Sequence, residues 1–323
     1  MAIVDLTSQL GSGTFLRGNG FGDNPLFDYA LTLQPTWKFK DRTQVDLLMS
    51  LSQELTDSDD TAEQQQLLLS DLRLGVRRNL HTFERSKTAL GGQLYAYIPT
   101  SLTSRGETLV TALEAQINVT QPVADFALLF RTAARKNFHS YTSPVVDVED
   151  NSLATCLARE GGSERIDALS CSPGGNNTSH SWNNRVGVRY TPFEEWSFLA
   201  YYTLAHSWTY EGYDTGRAEQ CNPLDPASCA RSGEGAQAGR GRRDSQLGQL
   251  LAAYEATSNL TLTLGVATGS ATRTDNDRSI RFPFFDINNQ ALNLTTYSLS
   301  VTFTEAIPFF KKSEDAHATL SNR

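Results

Sequence analysis

The sequence contains no run of about 18 apolar residues, so it encodes no membrane-crossing helix. Hydrophobic residues make up only 39% of the 323, and the formal net charge is -8. No basic stripe interleaved with aromatics is present, and no glycine-rich nucleotide loop, so no nucleic-acid partner and no nucleotide cofactor is expected. Cysteine is scarce. Cys156, Cys171, Cys221 and Cys229 include no C-x2-C pair, the spacing a zinc site favours. His81, His139 and His180 show no ligand spacing, so neither a metal nor any other cofactor is expected. Met1 leads directly into Ala-Ile-Val-Asp with no basic or apolar leader, so an exported chain of this form is expected to be a mature one carrying an added Met. These absences fit a soluble protein, or a membrane protein whose spanning elements are strands that need only one apolar face.

Period-two alternation decides between them. From Asp28 to Phe39, Tyr29, Leu31, Leu33, Pro35, Trp37 and Phe39 share one side, opposite Ala30, Thr32, Gln34, Thr36 and Lys38. That period belongs to a strand with unlike faces. It recurs along the chain. Leu47 and Met49 alternate with Asp46 and Ser50, and Leu72, Leu74 and Val76 with Asp71, Arg73 and Arg77. Leu113 and Ala115 oppose Glu114, while Phe126, Leu128 and Phe130 oppose Ala127, Arg131 and Arg135. Val186, Val188 and Tyr190 oppose Arg185, Gly187 and Arg189. Leu262 and Leu299 sit among threonines and serines. Eleven strands are readable, and a weaker one within 3–18 (Val4, Leu6 and Leu10 against Asp5, Thr7 and Gln9) gives an even number.

The apolar face carries almost no charge at its central positions, whereas the polar face carries many. A soluble sandwich would present charge outward and aliphatics inward. A lipid-facing sheet must close, because an open edge in hydrocarbon leaves backbone groups unpaired. The expected fold is therefore an all-β, transmembrane, antiparallel up-and-down barrel of about twelve strands over residues 1–310, with a polar periplasmic tail at 311–323. Short turns (40–42, 79–87, 120–123, 192–195, 256–259) alternate with longer connections. The longest are 137–181 and 209–242, so one rim is expected to face the periplasm, with both termini, and the other the outside. Trp37, Phe39, Tyr190, Phe193, Trp196 and Tyr254 lie by short turns. Phe27, Tyr29, Phe138, Trp182, Trp208 and Tyr210 lie by long ones, as two interfacial girdles would require.

In these alternating strands, long outer loops and an aromatic-ended last strand (Tyr297 to Phe303), the chain resembles the outer-membrane β-barrel superfamily of Gram-negative bacteria. It departs from the common form in the residues that follow that strand, including Pro308. The resemblance is architectural and matches no particular porin. It implies outer-membrane lipid and lipopolysaccharide as surroundings.

Arg73, Arg77, Arg131, Arg135, Arg185 and Arg189 share the inward phase with Asp46, Asp71 and Glu114. Guanidinium groups in a wet pore favour anions and bind carboxylate or phosphate bidentately. In general plan this is similar to twelve-stranded porins for acidic oligosaccharides, which carry arginine ladders. Alternatively, the charges pair with one another and fill a narrow interior. The four loop cysteines are expected as Cys156–Cys171 and Cys221–Cys229 disulfides, with free thiols or a metal as the other readings. Asp57-Ser58-Asp59-Asp60 and Asp275-Asn276-Asp277 read as solvated loop charge, or as holders of divalent cations. The Gly/Arg-rich stretch 233–243 reads as a loop, outside the barrel or folded into it. Outer-membrane phospholipases of twelve strands use a Ser-His-Asn set on the outer face. Here His206 faces outward, but Ser207 beside it points the other way, so the pair makes no dyad and no enzyme is expected. The reading is a passive channel for small hydrophilic solutes. The alternatives are a closed barrel that anchors a larger envelope complex and, third, an outer-membrane enzyme.

Overall fold

In the computed structural model, described at residues 1–15, 25–39, 42–56, 65, 67–142, 176–212, 239–272, 280–285 and 295–305, the chain is a closed antiparallel barrel. Its strands are β1 (Ala2–Gly11), β2 (Phe27–Lys38), β3 (Thr43–Glu54), β4 (Leu67–Leu69), β5 (Leu72–Thr82), β6 (Ala89–Ile98), β7 (Leu109–Val123), β8 (Phe126–His139), β9 (Thr178–Phe193), β10 (Trp196–Gly212), β11 (Gly239–Thr257), β12 (Leu260–Ala271) and β13 (Thr295–Glu305). β4 and β5 both pair with β3, breaking only at Ser70 and Asp71, so they form one stave and the barrel has twelve. β1 closes it, pairing with β2 on one side and β13 on the other. The weakest strand of the sequence is thus the closing one. It runs over Ala2–Gly11 and gives way to a 3-10 turn at Ser12–Phe15, short of the expected residue 18. No helix among the described residues is long and apolar enough to cross a membrane.

Register carries the alternation around the wall. Leu6 pairs with Leu31 and Val301, Leu47 with Leu74, and Leu128 with Val188. Leu31, Leu74, Leu113, Leu128, Val188, Leu262 and Leu299 are all exposed, and Leu264 reaches 62%. Leu47 is half-buried. Exposed leucine on a soluble surface would lose its transfer free energy, whereas in hydrocarbon it is at home. Tight turns close the opposite rim: Ala124 and Asp125 join β7 to β8, and Ala124 adopts φ 51. Around the short-turn rim, Phe126, Tyr190, Phe198, Trp196 and Tyr254 form a chain of ring contacts with centroids 4.6–6.5 Å apart.

Two local features go beyond the sequence reading. Gly239–Arg243, read as part of a loop, extends β11, because Trp208 and Ser207 of β10 pair with Arg242 and Arg243. Residues 280–285, from the connection before β13, lie against the outer wall rather than away from it. Gln246 Nε2 donates to Arg281 O at 2.9 Å, and a Cβ at Gly248 would collide with Pro283 O. This strap covers the polar outward residues Gln246 and Thr268. Thr268 and Thr295 Oγ1 atoms also satisfy each other at 2.9 Å. The four cysteines and both acidic runs lie outside the described residues.

Candidate functional site

Opposite each exposed leucine the polar face turns to the interior, and register decides which polar residues meet. The sequence contains one short pattern twice: Arg73-Leu74-Gly75-Val76-Arg77 on β5 and Arg185-Val186-Gly187-Val188-Arg189 on β9. In each the arginines and the glycine face inward. Gly75 pairs with Tyr95 of β6, and Gly187 with Tyr201 of β10. A Cβ on Gly75 would stand 2.6 Å from the Tyr95 ring, and one on Gly187 would overlap Tyr201. The missing side chain lets each ring lie across the neighbouring strand instead of standing into the lumen. An arginine then covers each ring: Arg73 Cζ lies 4.5 Å from the Tyr95 centroid and Arg185 Cζ 5.3 Å from that of Tyr201. Arg135 does the same over Tyr97, at 4.1 Å. Stacking engages the guanidinium face and leaves the N–H edge as the hydrogen-bonding surface.

The panel between the two motifs is mostly polar, interrupted by Ala112, Leu129 and Ala133. Arg131 faces Arg185 directly across β8 and β9. Arg131 Nη2 lies 4.0 Å from Glu114 Oε1, the limit of an ion pair, while Tyr97 Oη donates to Glu114 at 3.1 Å. Arg185 Nε donates to Thr203 Oγ1 at 2.9 Å and Arg135 Nε to Asn137 Oδ1 at 2.8 Å. Asp46 is fully buried: Gln34 Nε2 donates to its Oδ2 at 3.1 Å, and Arg77 Nε approaches its Oδ1 at 2.9 Å without a well-aligned N–H. Arg73 Nε has no hydrogen-bond partner among the described residues. Arg77 and Arg131 keep 29% and 38% of their side-chain surface.

An exposed apolar exterior, a charged interior and an unbroken hydrogen-bonded circuit occur together only where hydrocarbon is the outer solvent. The fold is a closed transmembrane antiparallel β-barrel. No protein-family profile matches the chain, and no curated protein matches it either. Among solved structures it is similar to an outer membrane channel from Pseudomonas putida F1, with a TM-score of 0.52, 14% identity and 94% of both chains covered. It also aligns with the NanC porin (TM-score 0.46, 10% identity, 94% of this chain and 100% of that one). The KdgM porin aligns at 0.43 and 7% identity, over 94% of this chain and 99% of that one. At these identities the likeness concerns the fold of the barrel.

The barrel brings together Arg73, Arg77, Arg131, Arg135, Arg185, Asp46 and Glu114 on one stretch of wall. Arg189 stands nearer the short-turn rim and is exposed. Asp71 is set apart at the β4–β5 break. It accepts from Ser101 N at 3.0 Å and Ser104 Oγ at 2.5 Å, fastening the short helix Leu102–Gly106. Sequence reasoning passed over Tyr95, Tyr97 and Tyr201 as site residues. The repeated R-x-G-x-R pattern was the available signal, since a strand glycine marks a place where another group approaches closely. His206 does face outward as its phase requires. It bonds Asp244 at 2.8 Å, while Ser207 Oγ donates to Arg243 O.

Proposed function

We propose that the barrel is an outer-membrane channel through which small hydrophilic solutes diffuse passively, and that it prefers anions. One observation carries the preference: the guanidinium groups of β5, β8 and β9 are gathered on one wall, and those of Arg73, Arg135 and Arg185 lie over tyrosine rings. Stacking removes much of the rotamer freedom that binding would otherwise cost, so the donors are preorganised for a carboxylate or phosphate. The two R-x-G-x-R motifs stand four staves apart in twelve, a third of the circumference. Of the two acids on that wall, Asp46 is engaged by Arg77 and Gln34. Glu114 touches Arg131 only at the outer limit of an ion pair. On this reading both termini lie in the periplasm and the long loops face the outside.

The test is a reversal potential across a planar bilayer under a KCl gradient. Fixed charge acts over about a Debye length, ~10 Å at 0.1 M salt, so every ion in a narrow lumen feels this wall. The expected result is anion preference at low salt that largely collapses at 1 M. Arg131→Glu combined with Arg185→Glu should turn the preference towards cations. A wild-type barrel that conducts and favours cations defeats the anion reading. One that never conducts makes the charges a paired plug and favours the anchoring role.

A further inference from the structure

Outward-facing charge is rare on this barrel, yet one cluster of it stands at the long-loop end of β8–β11. Register aligns Lys136, His180, Trp208 and Arg242 across four adjacent staves, with Trp182, His206 and Asp244 two residues nearer the short-turn rim on β9–β11. The cluster is built rather than scattered. His180 stacks on Trp208 (4.9 Å, 13°), Arg242 Cζ lies 5.9 Å from the Trp208 centroid, and Lys136 Nζ lies 4.8 Å from that of Tyr210. Lys136 Nζ also donates to Ser179 Oγ at 2.6 Å, in the bulge of β9. Arg242 reaches Asp244 through Nε at 2.8 Å and Nη2 at 2.9 Å. Lys136 and Arg242 against Asp244 leave one positive charge, counting both histidines as neutral.

Directly below, towards mid-membrane, the outer wall holds a slot. Its floor is Ala115 and Ala134, paired with each other, and its sides are Leu94 and Leu113 on one flank and Trp182 on the other. The cavity measures about 630 Å³, and Lys136, His180 and Trp208 close its upper end. A second hollow of about 540 Å³ shares Leu94, Ala115 and Ala134 and continues the slot towards Ile117 and Leu80.

We infer that this groove is a specific site for a phosphate-bearing lipid, its acyl chain in the alanine-floored slot and its phosphate at Lys136. The polarity runs the right way: cation at the interface, apolar trough beneath it. Phosphate is the chemistry that clustered ammonium, guanidinium and imidazole donors recognise, and bilayer depth presents it at this height. The ordinary aromatic girdle explains Trp182 and Trp208 but not a trough of small residues under an exposed lysine.

Native mass spectrometry of the intact barrel in detergent tests this with three probes: lipid A bearing two phosphates, lipid A bearing one, and the same lipid with none. The wild type should retain the phosphorylated forms at least about tenfold more strongly than the phosphate-free one, one such step corresponding to a single charge-assisted contact. Lys136→Gln should remove that discrimination. Ala134→Trp should abolish retention of all three by filling the slot. Heat-modifiable electrophoretic mobility checks that both variants are folded. Equal retention of the three probes by the wild type overturns the inference and needs no variant, as does wild-type discrimination in folded Lys136→Gln. The site faces away from the lumen, so Lys136→Gln should leave the reversal potential unchanged.

Discussion

The interior has two unlike walls. From β3, which supplies Asp46, to β9 it presents arginines laid on tyrosines over glycine notches. From β12 through β13, β1 and β2 it presents Thr263, Ser298, Ser300, Thr302, Thr7 and Thr32, with Asp5 among them. Both walls are polar at period two, and composition alone treats them as equals. They differ in how polarity is held. Charge on the first wall is fixed by stacking and ion pairing. On the second, Thr7, Ser300 and Thr302 donate to the Asp5 carboxylate, and Thr32 bonds Ser50 at 3.0 Å. A solute crossing such a lumen meets clustered guanidinium groups on one side and hydroxyls gathered on the Asp5 carboxylate on the other.

The largest way to break this asymmetry is to fill a notch. Gly75→Val or Gly187→Val would force Tyr95 or Tyr201 off the wall and carry Arg73 or Arg185 with it. The added atoms meet a ring and, at Gly187, the carbonyl of Ala200 at 2.9 Å. We expect about 3 kcal/mol of destabilisation in urea unfolding, the upper end for overpacking, together with reduced single-channel conductance. Gly265 is the control on the other wall. A Cβ there meets the ends of flexible side chains, Ser298 Oγ at 2.5 Å and Leu251 Cδ2 at 2.9 Å. Gly265→Ala should therefore cost under about 1 kcal/mol and leave conductance unchanged. Equal effects at Gly187 and Gly265 would mean that the stacked modules do not organise the charged wall.

The barrel itself was legible because the lipid face obeys a strict physical rule, and every strand from Phe27 onward repeats it. The polar face obeys no such rule, so its phase could be read but its contacts could not. Which strand residue meets which depends on register, and register comes from turns and bulges such as those at Asn79–His81 and Trp208–Glu211. Arg131 and Arg185 were placed on neighbouring strands by phase, and they pair directly. Asp71 was placed with them by the same phase, yet the chain bends there and its carboxylate holds a loop helix. The strap at 280–285 was unreadable for a related reason. Its signal is Gly248, where the outward phase of β11 passes from polar (Arg242, Asp244, Gln246) to apolar (Leu250, Ala252), and its meaning emerges only from what lies upon it.

A middle-sized effect should follow from removing a single acid of the charged wall. Asp46 has no exposed surface, and it faces both Arg77 and Gln34. Asp46→Asn keeps the shape but withdraws the counter-charge from a guanidinium that retains only 29% of its side-chain exposure. Breaking one partner of a buried pair is costly, but lumenal water hydrates Arg77 in part, so about 2 kcal/mol is expected in urea unfolding. Anion preference at low salt should rise, because Arg77 then acts on permeating ions unopposed. A stabilised barrel with unchanged selectivity would show that Arg77 contributes nothing to the field.

The smallest effect belongs to the quiet wall and sharpens the comparison most. Asp5 accepts from Thr7 Oγ1 at 2.6 Å, from Thr302 Oγ1 at 2.5 Å and from Ser300 Oγ. These donors are neutral hydroxyls: they solvate the carboxylate without cancelling its charge. Asp5→Asn replaces a charge-assisted set by neutral bonds, and the three hydroxyls can rotate to suit an amide oxygen. The expected cost is about 1 kcal/mol. Electrically the substitution deletes a negative charge held by hydroxyls alone, on the side away from the arginines. The reversal potential at 0.1 M KCl should therefore move towards anions, and the shift should vanish at 1 M, where screening shortens to ~3 Å. Comparing this shift with that of Asp46→Asn measures how far the two walls act independently. If the double variant shows the sum of the single shifts, each wall contributes its own field along the pore. If Asp5→Asn alone leaves the potential where it was, ions pass close to the arginines and the hydroxyl wall serves as a neutral guide.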